Sequence, residues 1–411
     1  MNKNKLTVTN VDFTNKIAIV RVDFNVPILN GKIDDDTRVV ESLPTLNHLI
    51  NQNAKIILLS HLGRINSLAD KQSNKFSLKP VGDLLSKLLP NTNVKFHDQC
   101  IGTSVKSAVS KMLPGDILLL ENTRYCDVDD DGKLIMRESK CDESLASFWA
   151  SLGDIFVNDA FGTIHRKHAS NYGLATKVKE SCIGFLVQKE LKGLDVLIRC
   201  PVSPYIVVMG GAKAADKIGL VRNFLKTADR ILLAGGIATS FLYAKGIDVG
   251  SSIVDKESIE LIKELIALDK EQKMLLPVDF VVNKEFVDKP GTNVDVGQPF
   301  LNGLAMDIGE KTCKLFAKEI KNARTLFWNG PPGVFEFSNF QIGTLAIAKA
   351  IAEVTEKGGY TLVGGGDSAS AIGKFGLKDK VSFISTGGGA SLTLLEKNSS
   401  PALDVISNKQ T

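Results

Sequence analysis

Arginine side chains that could grip phosphate or carboxylate groups recur in the first half of the sequence. The chain has 10 Arg against 40 Lys, so lysine supplies the background positive charge. Arginine is therefore expected where geometry matters, because its planar fork binds these anions in a bidentate manner. Five arginines lie near predicted strand ends: Arg21, Arg38, Arg64, Arg124 and Arg166. Their placement predicts a site for an anionic substrate.

Glycine-rich turns follow the predicted strands of the second half. Glycine lets the backbone approach a ligand closely, and a helix that begins there presents free N–H groups to phosphate. The turns are Gly210–Lys213, Gly235–Gly236, Asn329–Gly333, Gly364–Asp367 and Gly387–Gly389. Five such turns in one sheet predict a nucleotide site. The GxxxxGK[ST] and GxGxxG patterns and the protein-kinase signatures are missing from these turns.

Two side chains beside these turns suit phosphoryl transfer. Lys213 follows Gly-Gly at a predicted helix start and can place a point charge on a moving phosphoryl group. Asp367 follows three glycines, and one or two carboxylates with nucleotide phosphates are the usual ligands of Mg²⁺. The sequence thus predicts a Mg²⁺ contact at Asp367.

The elements that position these residues are short apolar runs separated by helical segments, which predict buried parallel sheets. In the first half the runs are Ile17–Phe24, Lys55–Leu59, Asp116–Leu120 and Asp154–Val157. In the second half they are Tyr205–Met209, Ile231–Ala234, Thr325–Trp328, Tyr360–Val363 and Val381–Ser385. Ligands of such sheets bind beyond the carboxyl ends of the strands. We predict two doubly wound α/β lobes joined by a helix over 187–198.

Several polar side chains can be interpreted either as structural groups or as ligands of the substrate. Strand alternation puts Arg21, Asp23 and Asn25 on one face, where they could bind substrate or form an internal Arg21–Asp23 ion pair. Arg38 is expected in the first turn of a helix, where taken alone it would be a surface residue; the other arginines nearby are the reason to expect that it binds substrate. His61 is expected to be functional, whereas His168 could equally donate to a backbone carbonyl.

Composition excludes several classes of protein. The chain has 411 residues, of which 44% are hydrophobic and 23% charged, as expected for two folded domains. A net charge of +4, spread evenly, argues against nucleic-acid or membrane partners. No signal peptide is visible, and the longest apolar stretch, 231–244, is shorter than the ~20 residues of a membrane span. The six cysteines have no zinc or disulfide spacing. A cytoplasmic location is predicted.

Eight motifs follow one another over nearly the whole chain. They are Arg21-Val-Asp-Phe-Asn-Val-Pro27, Ser60-His-Leu-Gly-Arg64, Glu121-Asn-Thr-Arg-Tyr125, Asn158-Asp-Ala-Phe-Gly-Thr163 with His165-Arg166, Gly210-Gly-Ala-Lys213, Trp328-Asn-Gly-Pro331, Gly364-Gly-Gly-Asp367 and Ser385-Thr-Gly-Gly-Gly389. Together, in this order, they resemble the phosphoglycerate kinase family. The resemblance implies a two-lobed, hinge-closing monomer. It would transfer a phosphoryl group reversibly between 1,3-bisphosphoglycerate and ADP, giving 3-phosphoglycerate and ATP, with Mg²⁺.

The resemblance also implies a role for each lobe. Residues 1–185 would bind the phosphoglycerate, with the tail 395–411 packing on them, and 186–394 would bind the nucleotide. The implied phosphoglycerate-binding residues are Asp23, Phe24, Asn25, Arg38, His61, Leu62, Gly63, Arg64, Arg124 and Arg166. The implied nucleotide-binding residues are Gly211, Lys213, Lys217, Gly236, Gly309, Asn329, Glu336, Gly365, Gly366, Asp367 and Ser368. The implied catalytic groups are Arg38, Lys213, Gly387 and Gly388.

Some positions depart from the family pattern: Pro332, Ile65-Asn66, Lys167 and the tail after Glu396. None of them removes a charge that the chemistry needs. Three other interpretations remain. A nicotinamide dehydrogenase would need a complete GxGxxG turn. A hinged binding protein would have no need of Lys213 with Asp367. A catalytically silent relative would normally have lost a charge that this chain keeps.

Overall fold

The computed structural model describes residues 5–29, 31–300 and 302–409. Residues 1–4 of the first predicted domain and 410–411 of the predicted tail lie outside the described residues. The chain divides into two compact units. Unit 1 holds the described residues up to Leu191 and those from Asn398 onward, and unit 2 is Lys192–Lys397.

Unit 1 is built on a parallel sheet. Within its described residues the sheet has six strands in the order β5-β6-β4-β1-β7-β8, and β2 and β3 form a separate hairpin. The strands are β1 (Ile17–Val22), β2 (Ile28–Leu29), β3 (Lys32–Ile33), β4 (Lys55–Leu59), β5 (Val94–His97), β6 (Ile117–Leu120), β7 (Ile155–Asp159) and β8 (Glu180–Ile183). The four strands predicted in this half are therefore neighbours, β6-β4-β1-β7.

Helices cover the sheet of unit 1 and bury its apolar side chains. They are α1 (Thr37–Val40), α2 (Leu43–Asn51), α3 (Leu68–Gln72), α4 (Lys79–Leu88), α5 (Thr103–Ser110), α6 (Glu143–Ala150), α7 (Leu174–Lys177) and α8 (Phe185–Arg199). A π-helical turn, Ala169–Gly173, precedes α7. Side chains such as Val20, Ile56 and Leu119 are fully buried in one core, as the β-branched and Leu-rich runs predict.

The predicted linker helix is α8, which passes from unit 1 into unit 2 after Leu191. The boundary between the two units therefore falls inside α8, whereas the sequence predicts the boundary between residues 185 and 186. After unit 2 the chain returns to unit 1 at Asn398, since the preceding helix continues to Lys397. Near the end of the returning segment, Lys5 Nζ donates to the carbonyl of Ile406 at 2.6 Å.

Unit 2 contains a second parallel sheet. Within its described residues it has six strands in the order β11-β10-β9-β15-β16-β17, beside a three-stranded antiparallel sheet in the order β13-β12-β14. The strands are β9 (Tyr205–Met209), β10 (Arg230–Leu233), β11 (Met274–Leu275), β12 (Asp279–Asn283), β13 (Thr292–Asp295), β14 (Leu304–Ile308), β15 (Thr325–Asn329), β16 (Tyr360–Gly364) and β17 (Phe383–Ser385).

The helices of unit 2 follow its strands and bury aromatic and aliphatic side chains against them, with Trp328 and Phe316 fully enclosed. They are α9 (Ile218–Thr227), α10 (Gly235–Ala244), α11 (Ile259–Leu268), α12 (Glu310–Ile320), α13 (Ile342–Glu356), α14 (Gly366–Lys374) and α15 (Gly389–Lys397). The last helix of the chain, α16 (Pro401–Asp404), lies in the returning segment of unit 1. No helix among the described residues is long and apolar enough to cross a membrane.

Two parallel-sheet α/β regions confirm the predicted fold class. One local expectation was wrong, and one open alternative was decided. The first strand ends at Val22 rather than Phe24, because the chain turns where Val26 N bonds to the carbonyl of Phe24. Of the two interpretations of Arg21 and Asp23, the internal ion pair is absent among the described residues, since Asp23 pairs with Arg38 instead.

Candidate active site

The carboxyl ends of four adjacent strands bring the predicted cationic residues of unit 1 to one edge of its sheet. β1 leads to Asp23, β4 to His61, and β6 to the 3₁₀ turn Thr123–Asp127, which carries Arg124. β7 leads through a second 3₁₀ turn to Arg166. Because parallel strands end on the same edge, Asp23 and Arg166 share one surface although they are 143 positions apart in the chain.

Asp23 organises one side of this surface. Its Oδ2 atom accepts a hydrogen bond from Arg38 Nη1 at 2.9 Å. Arg38 lies in the first turn of α1, as predicted, and about two fifths of its side chain stays exposed. Asn25 lies next to Asp23, and its Oδ1 atom accepts from the Gly63 N–H at 2.8 Å. The Asp23 carboxylate thus holds Arg38 through Nη1 and leaves other N–H groups of the guanidinium available to a ligand.

Asn122 organises the other side. Its Nδ2 atom donates to the Leu62 carbonyl at 2.7 Å, and its Oδ1 atom accepts from the Arg124 N–H at 3.1 Å. The Arg124 guanidinium donates to the Gly63 carbonyl. The backbone of the His61–Arg64 turn is therefore tied to the turn that carries Arg124. The backbone N–H of Phe24 joins the same cluster through Ser60 Oγ at 2.9 Å.

Two predicted arginines remain available to a ligand. Arg64 is exposed, and no hydrogen bond or ion pair holds it among the described residues. Arg166 is exposed as well, and its Nε atom donates to His165 Nε2 at 3.0 Å. Cations without a protein carboxylate are suited to an anionic substrate.

The histidines of this surface are held in their neutral form. Burial, and then the charges of Arg21 and Arg124, lower the pKa of His61 well below its usual value. Burial, followed by the same two arginines, lowers the pKa of His168 to about 3. For His165, burial and Arg166 lower the pKa to about 4. Positive charge near neutral pH therefore comes from the arginines.

In unit 2 the predicted glycine turns also lie at one edge of a parallel sheet. The Gly210 N–H donates to the Asn329 carbonyl at 3.0 Å, and the Gly211 N–H donates to the Pro331 carbonyl at 3.0 Å. The Gly236 N–H in turn donates to the Gly211 carbonyl at 2.8 Å. Backbone hydrogen bonds thus join three of the five turns, those that begin at Gly210, Gly235 and Asn329.

The two predicted lysines of unit 2 lie in different environments. Lys213 is exposed and has no hydrogen-bond or ion-pair partner among the described residues. Lys217 Nζ donates to the Gly210 carbonyl at 2.6 Å and lies 3.4 Å from the Asn329 carbonyl. Burial lowers the pKa of Lys217 to about 8, although the carboxylate of Asp367 acts in the opposite direction. Lys213 is the free cation, and Lys217 supports the turns.

The turn after β16 presents both a helix start and a carboxylate. Gly365 precedes α14 with φ of +91°, and Asp367 lies exposed in the first turn of that helix. Ser368 is buried and accepts from the Gly330 N–H at 2.6 Å. Asn329 Nδ2 donates to the Gly364 carbonyl at 2.7 Å, while its buried Oδ1 atom has no partner among the described residues.

The remaining predicted residues of unit 2 are placed as follows. Gly309 is the residue before α12, and its N–H donates to the Asp279 carbonyl at 3.0 Å. Glu336 is exposed in the segment after Pro331. Gly387 and Gly388 follow β17 and lead into α15, which begins at Gly389. Gly366 is the first residue of α14.

No group of three or more His, Cys, Asp or Glu side chains that could hold a metal ion occurs in the part of the chain that the structure describes. Asp367 is instead a single exposed carboxylate. Among the described residues it has neither a hydrogen bond nor an ion pair. Such a group fits a Mg²⁺ ion that takes its other ligands from nucleotide phosphates and water.

Sequence reasoning missed two groups that shape the surface of unit 1. Asn122 lies in the motif that predicts Arg124, but the sequence gives no sign that its side chain bridges two turns. Glu138 is fully buried and accepts hydrogen bonds from Ser170, and it lies in a segment with no recognised pattern. No spacing signal could have found it, because its partners come from distant parts of the chain.

Comparison with known proteins identifies the family. A family model described as phosphoglycerate kinase matches residues 8–398. The chain belongs to the phosphoglycerate kinase family. It is 51% identical over 396 residues to "Phosphoglycerate kinase" of Mycoplasma genitalium, covering 95% of this chain and 96% of that protein. It is 47% identical to the protein of the same name from Mycoplasmoides gallisepticum, and the match covers both chains fully.

Solved structures of phosphoglycerate kinases share the fold. The structure from Coxiella burnetii has a TM-score of 0.84 at 36% identity, and that from Pyrococcus horikoshii has a TM-score of 0.81 at 30% identity. Each match covers 98% of both chains. The resemblance inferred from the motifs is confirmed, and the protein is an enzyme of the glycolytic phosphoglycerate kinase type that uses ATP and ADP.

Proposed function

We propose that the protein transfers a phosphoryl group reversibly between 1,3-bisphosphoglycerate and ADP, giving 3-phosphoglycerate and ATP. The observation that carries the proposal is the pair of strand-end clusters, one cationic and one rich in glycine turns. Each lies at the carboxyl edge of a parallel sheet, where α/β proteins bind ligands. The family membership of the chain supports the same reaction.

In this proposal the edge of unit 1 binds the phosphoglycerate. Arg64, Arg124 and Arg166 would hold its phosphate and carboxylate oxygens, since arginine pairs with both groups in a bidentate manner. His61 would add a neutral hydrogen-bond donor, and Asp23 and Asn25 would orient the three-carbon chain of the phosphoglycerate. The Phe24, Leu62 and Gly63 backbones complete this lining. Arg38 would face the carboxyl group that accepts the phosphoryl group.

The edge of unit 2 would bind the nucleotide. The turns at Gly211, Gly236 and Gly365–Ser368 would approach the phosphates, and Lys213 would supply a mobile positive charge. Glu336, through its exposed carboxylate, would bind the ribose, and Gly309 and Asn329 would line the remainder. Asp367 would hold Mg²⁺ with the nucleotide phosphates, and the ion would neutralise part of their charge.

The chemistry requires positioning rather than a covalent intermediate. In the direction of ATP use, a carboxylate oxygen of 3-phosphoglycerate forms a bond to the γ-phosphorus while the bond to the β–γ bridging oxygen of ATP breaks. Arg38 and Lys213 would neutralise charge on the transferring oxygens, and the N–H groups after Gly387 and Gly388 would add to this. We place hinge closure at α8, which would exclude water from the acyl phosphate.

The test is a coupled assay with the purified protein. ATP, Mg²⁺ and 3-phosphoglycerate are supplied, and 1,3-bisphosphoglycerate is followed through an NADH-consuming dehydrogenase. The proposal requires turnover that depends on all three components. Binding of both substrates without turnover would identify a catalytically silent relative. Absence of binding would overturn the assignment of both clusters. Size-exclusion chromatography with light scattering tests the proposed monomer, and fractionation of cells tests the proposed cytoplasmic location.

A further inference from the structure

Glu138 is a carboxylate buried in the midst of the cationic cluster of unit 1. Its side chain is fully inaccessible to solvent. Its Oε2 atom accepts from the Ser170 N–H at 2.9 Å, and its Oε1 atom accepts from Ser170 Oγ at 2.5 Å and from Thr123 Oγ1 at 3.3 Å. A buried carboxylate is costly unless it is hydrogen-bonded and faces positive charge, so its position calls for an explanation.

Arg21 is the positively charged side chain that this network links to Glu138, and it is also fully buried. Its Nε atom donates to Ser170 Oγ at 2.7 Å. A hydroxyl carries one hydrogen, so Ser170 can donate to Glu138 and accept from Arg21 at the same time. Glu138, Ser170 and Arg21 therefore form a continuous buried chain. Ser170 lies in the π-helical turn before α7, an irregularity that is often found at functional sites.

The chain continues to His61. Arg21 Nη2 lies 3.1 Å from His61 Nδ1. Guanidinium nitrogens are donors only, so Nδ1 must accept, and the neutral imidazole must carry its proton on Nε2. The Arg21 fork is fixed further by its bond to the Val22 carbonyl. The tautomer of His61 is thus set by an arginine whose own orientation is set from Glu138.

We propose that Glu138 is a positioning residue for the phosphoglycerate site. Through Ser170 and Arg21 it holds His61 as the neutral tautomer whose Nε2–H donates to the substrate. The inference rests on the proposed function only for the identity of that substrate. A purely structural carboxylate would stabilise the fold without coupling to His61.

The structure offers three variants that separate these roles. Glu138→Gln removes the charge but keeps the shape, and Ser170→Ala breaks the chain without changing any charge. Asp116→Asn is the matched control, because Asp116 is a buried carboxylate at the amino end of β6, on the opposite edge of the same sheet, where it accepts from Asn93 Nδ2 at 2.9 Å. Folding of each full-length variant is checked by circular dichroism and thermal melting.

Kinetics with 3-phosphoglycerate give the first readout. We expect Glu138→Gln and Ser170→Ala each to raise KM for 3-phosphoglycerate about tenfold, with a smaller change in kcat and in KM for ATP. In a His61→Ala background neither change should raise that KM further, because residues acting through one another are not additive. Asp116→Asn should leave all three parameters within about twofold of the parent enzyme.

Nitrogen-15 NMR of histidine-labelled protein without substrate gives the second readout. His61 should show a protonated Nε2 and an unprotonated Nδ1 in the parent, and this pattern should change in Ser170→Ala and Glu138→Gln but not in Asp116→Asn. Additive effects in the His61→Ala background, or a parent His61 protonated on Nδ1, would overturn the proposal. Should Glu138→Gln fail to fold, Ser170→Ala decides. If the parent enzyme shows no turnover, the proposed function is refuted. The NMR test of the chain from Glu138 through Ser170 and Arg21 to His61 would still stand.

Discussion

Arg38 differs from the other arginines of the cationic edge because it is paired with a carboxylate and yet remains partly exposed. Asp23 holds one nitrogen of its fork at 2.9 Å. The pair fixes the direction of the guanidinium, and in the proposed reaction such preorganised charge would supply the larger part of catalysis. At the residue scale, the cationic edge therefore combines an arginine held by a carboxylate, Arg38, with one that no described protein group holds, Arg64.

Substitution of Arg38 is expected to affect turnover rather than nucleotide binding. Arg38→Ala should lower kcat by about 100-fold or more, while the dissociation constant for ATP stays within about twofold. Arg38→Lys keeps the charge but not the fork, and it should recover only part of the rate. Steady-state kinetics and calorimetric titration with ATP measure the two quantities. Equal losses in both would contradict the role assigned to Arg38.

The buried His168 predicts a pH dependence of stability. Its pKa is about 3 in the folded protein against 6.5 in the unfolded chain, because burial and then Arg21, Arg124 and Arg166 oppose protonation. The unfolded state therefore binds more protons as the pH falls below 6.5, and the free energy of unfolding decreases. The stabilising contribution is present above pH 6.5 and is lost as the pH falls toward 3.

His168→Gln should make unit 1 less sensitive to acid. Between about pH 6.5 and pH 5 the group accounts for a loss of about 2 kcal/mol, which the variant should lack. Urea denaturation at these two pH values measures the difference. His97→Gln, which changes a half-buried histidine on β5, serves as the control. An unchanged pH slope in His168→Gln would contradict the prediction.

At the scale of elements, the sequence predicted the central strands well and the peripheral ones poorly. Lys55–Leu59 and Tyr205–Met209 have the predicted bounds, because their side chains form continuous buried runs. The edge strands β5 and β8 and the exposed strand β13 were missed. β5 and β13 have half-exposed or exposed side chains, whereas β8 is mostly buried but contains Glu180 and Ser181, so none of the three has the apolar run that marks a buried strand.

The same contrast applies to the site. Residues directly after buried strands, such as His61 and Lys213, could be predicted because parallel sheets place their ligands there. Ser170 and Glu138 could not, since their meeting depends on a π-helical turn and on tertiary packing between segments that are not consecutive. Sequence pattern therefore predicts the sheet edge at which we propose that ligand binds, and the structure is needed to find the groups beneath that edge.

The turn before α14 gives a prediction for a single glycine. Gly365 has φ of +91°, and a Cβ atom there would lie 2.7 Å from Asn329 Nδ2. Gly365→Ala should weaken ATP binding about tenfold, because backbone strain of about 1–2 kcal/mol is added to displacement of Asn329. Gly358→Ala is the control, since Gly358 also has a positive φ of +84° but no atom within 4 Å of the added group. Equal ATP affinity in both variants would show that Asn329 is not involved.

At the scale of the molecule, the last segment of the chain is part of unit 1. The backbone N–H of Ala402 bonds to the Ile164 carbonyl at 3.1 Å, and Ser407 exchanges hydrogen bonds with Ser181. Leu403 is fully buried there. Unit 1 is therefore completed by a segment that follows unit 2 in the chain, which couples the stability of unit 1 to that segment.

Leu403→Ala should destabilise unit 1 in particular. A buried leucine truncated to alanine costs about 2–5 kcal/mol. Differential scanning calorimetry should show a lower melting temperature for the transition of unit 1, with that of unit 2 less affected. Asp404→Ala changes the exposed neighbour and should shift neither transition by a comparable amount. A uniform loss of stability in both transitions would contradict the assignment of this segment to unit 1 alone.

The central claim is that the phosphoryl group passes directly between two substrates held at the two clusters. It is tested most directly by the stereochemistry of transfer from ATP made chiral at the γ-phosphorus with sulfur and oxygen isotopes. A single in-line displacement predicts inversion of configuration in the product. Retention would require two successive displacements through a phosphorylated residue of the enzyme, and it would contradict the account.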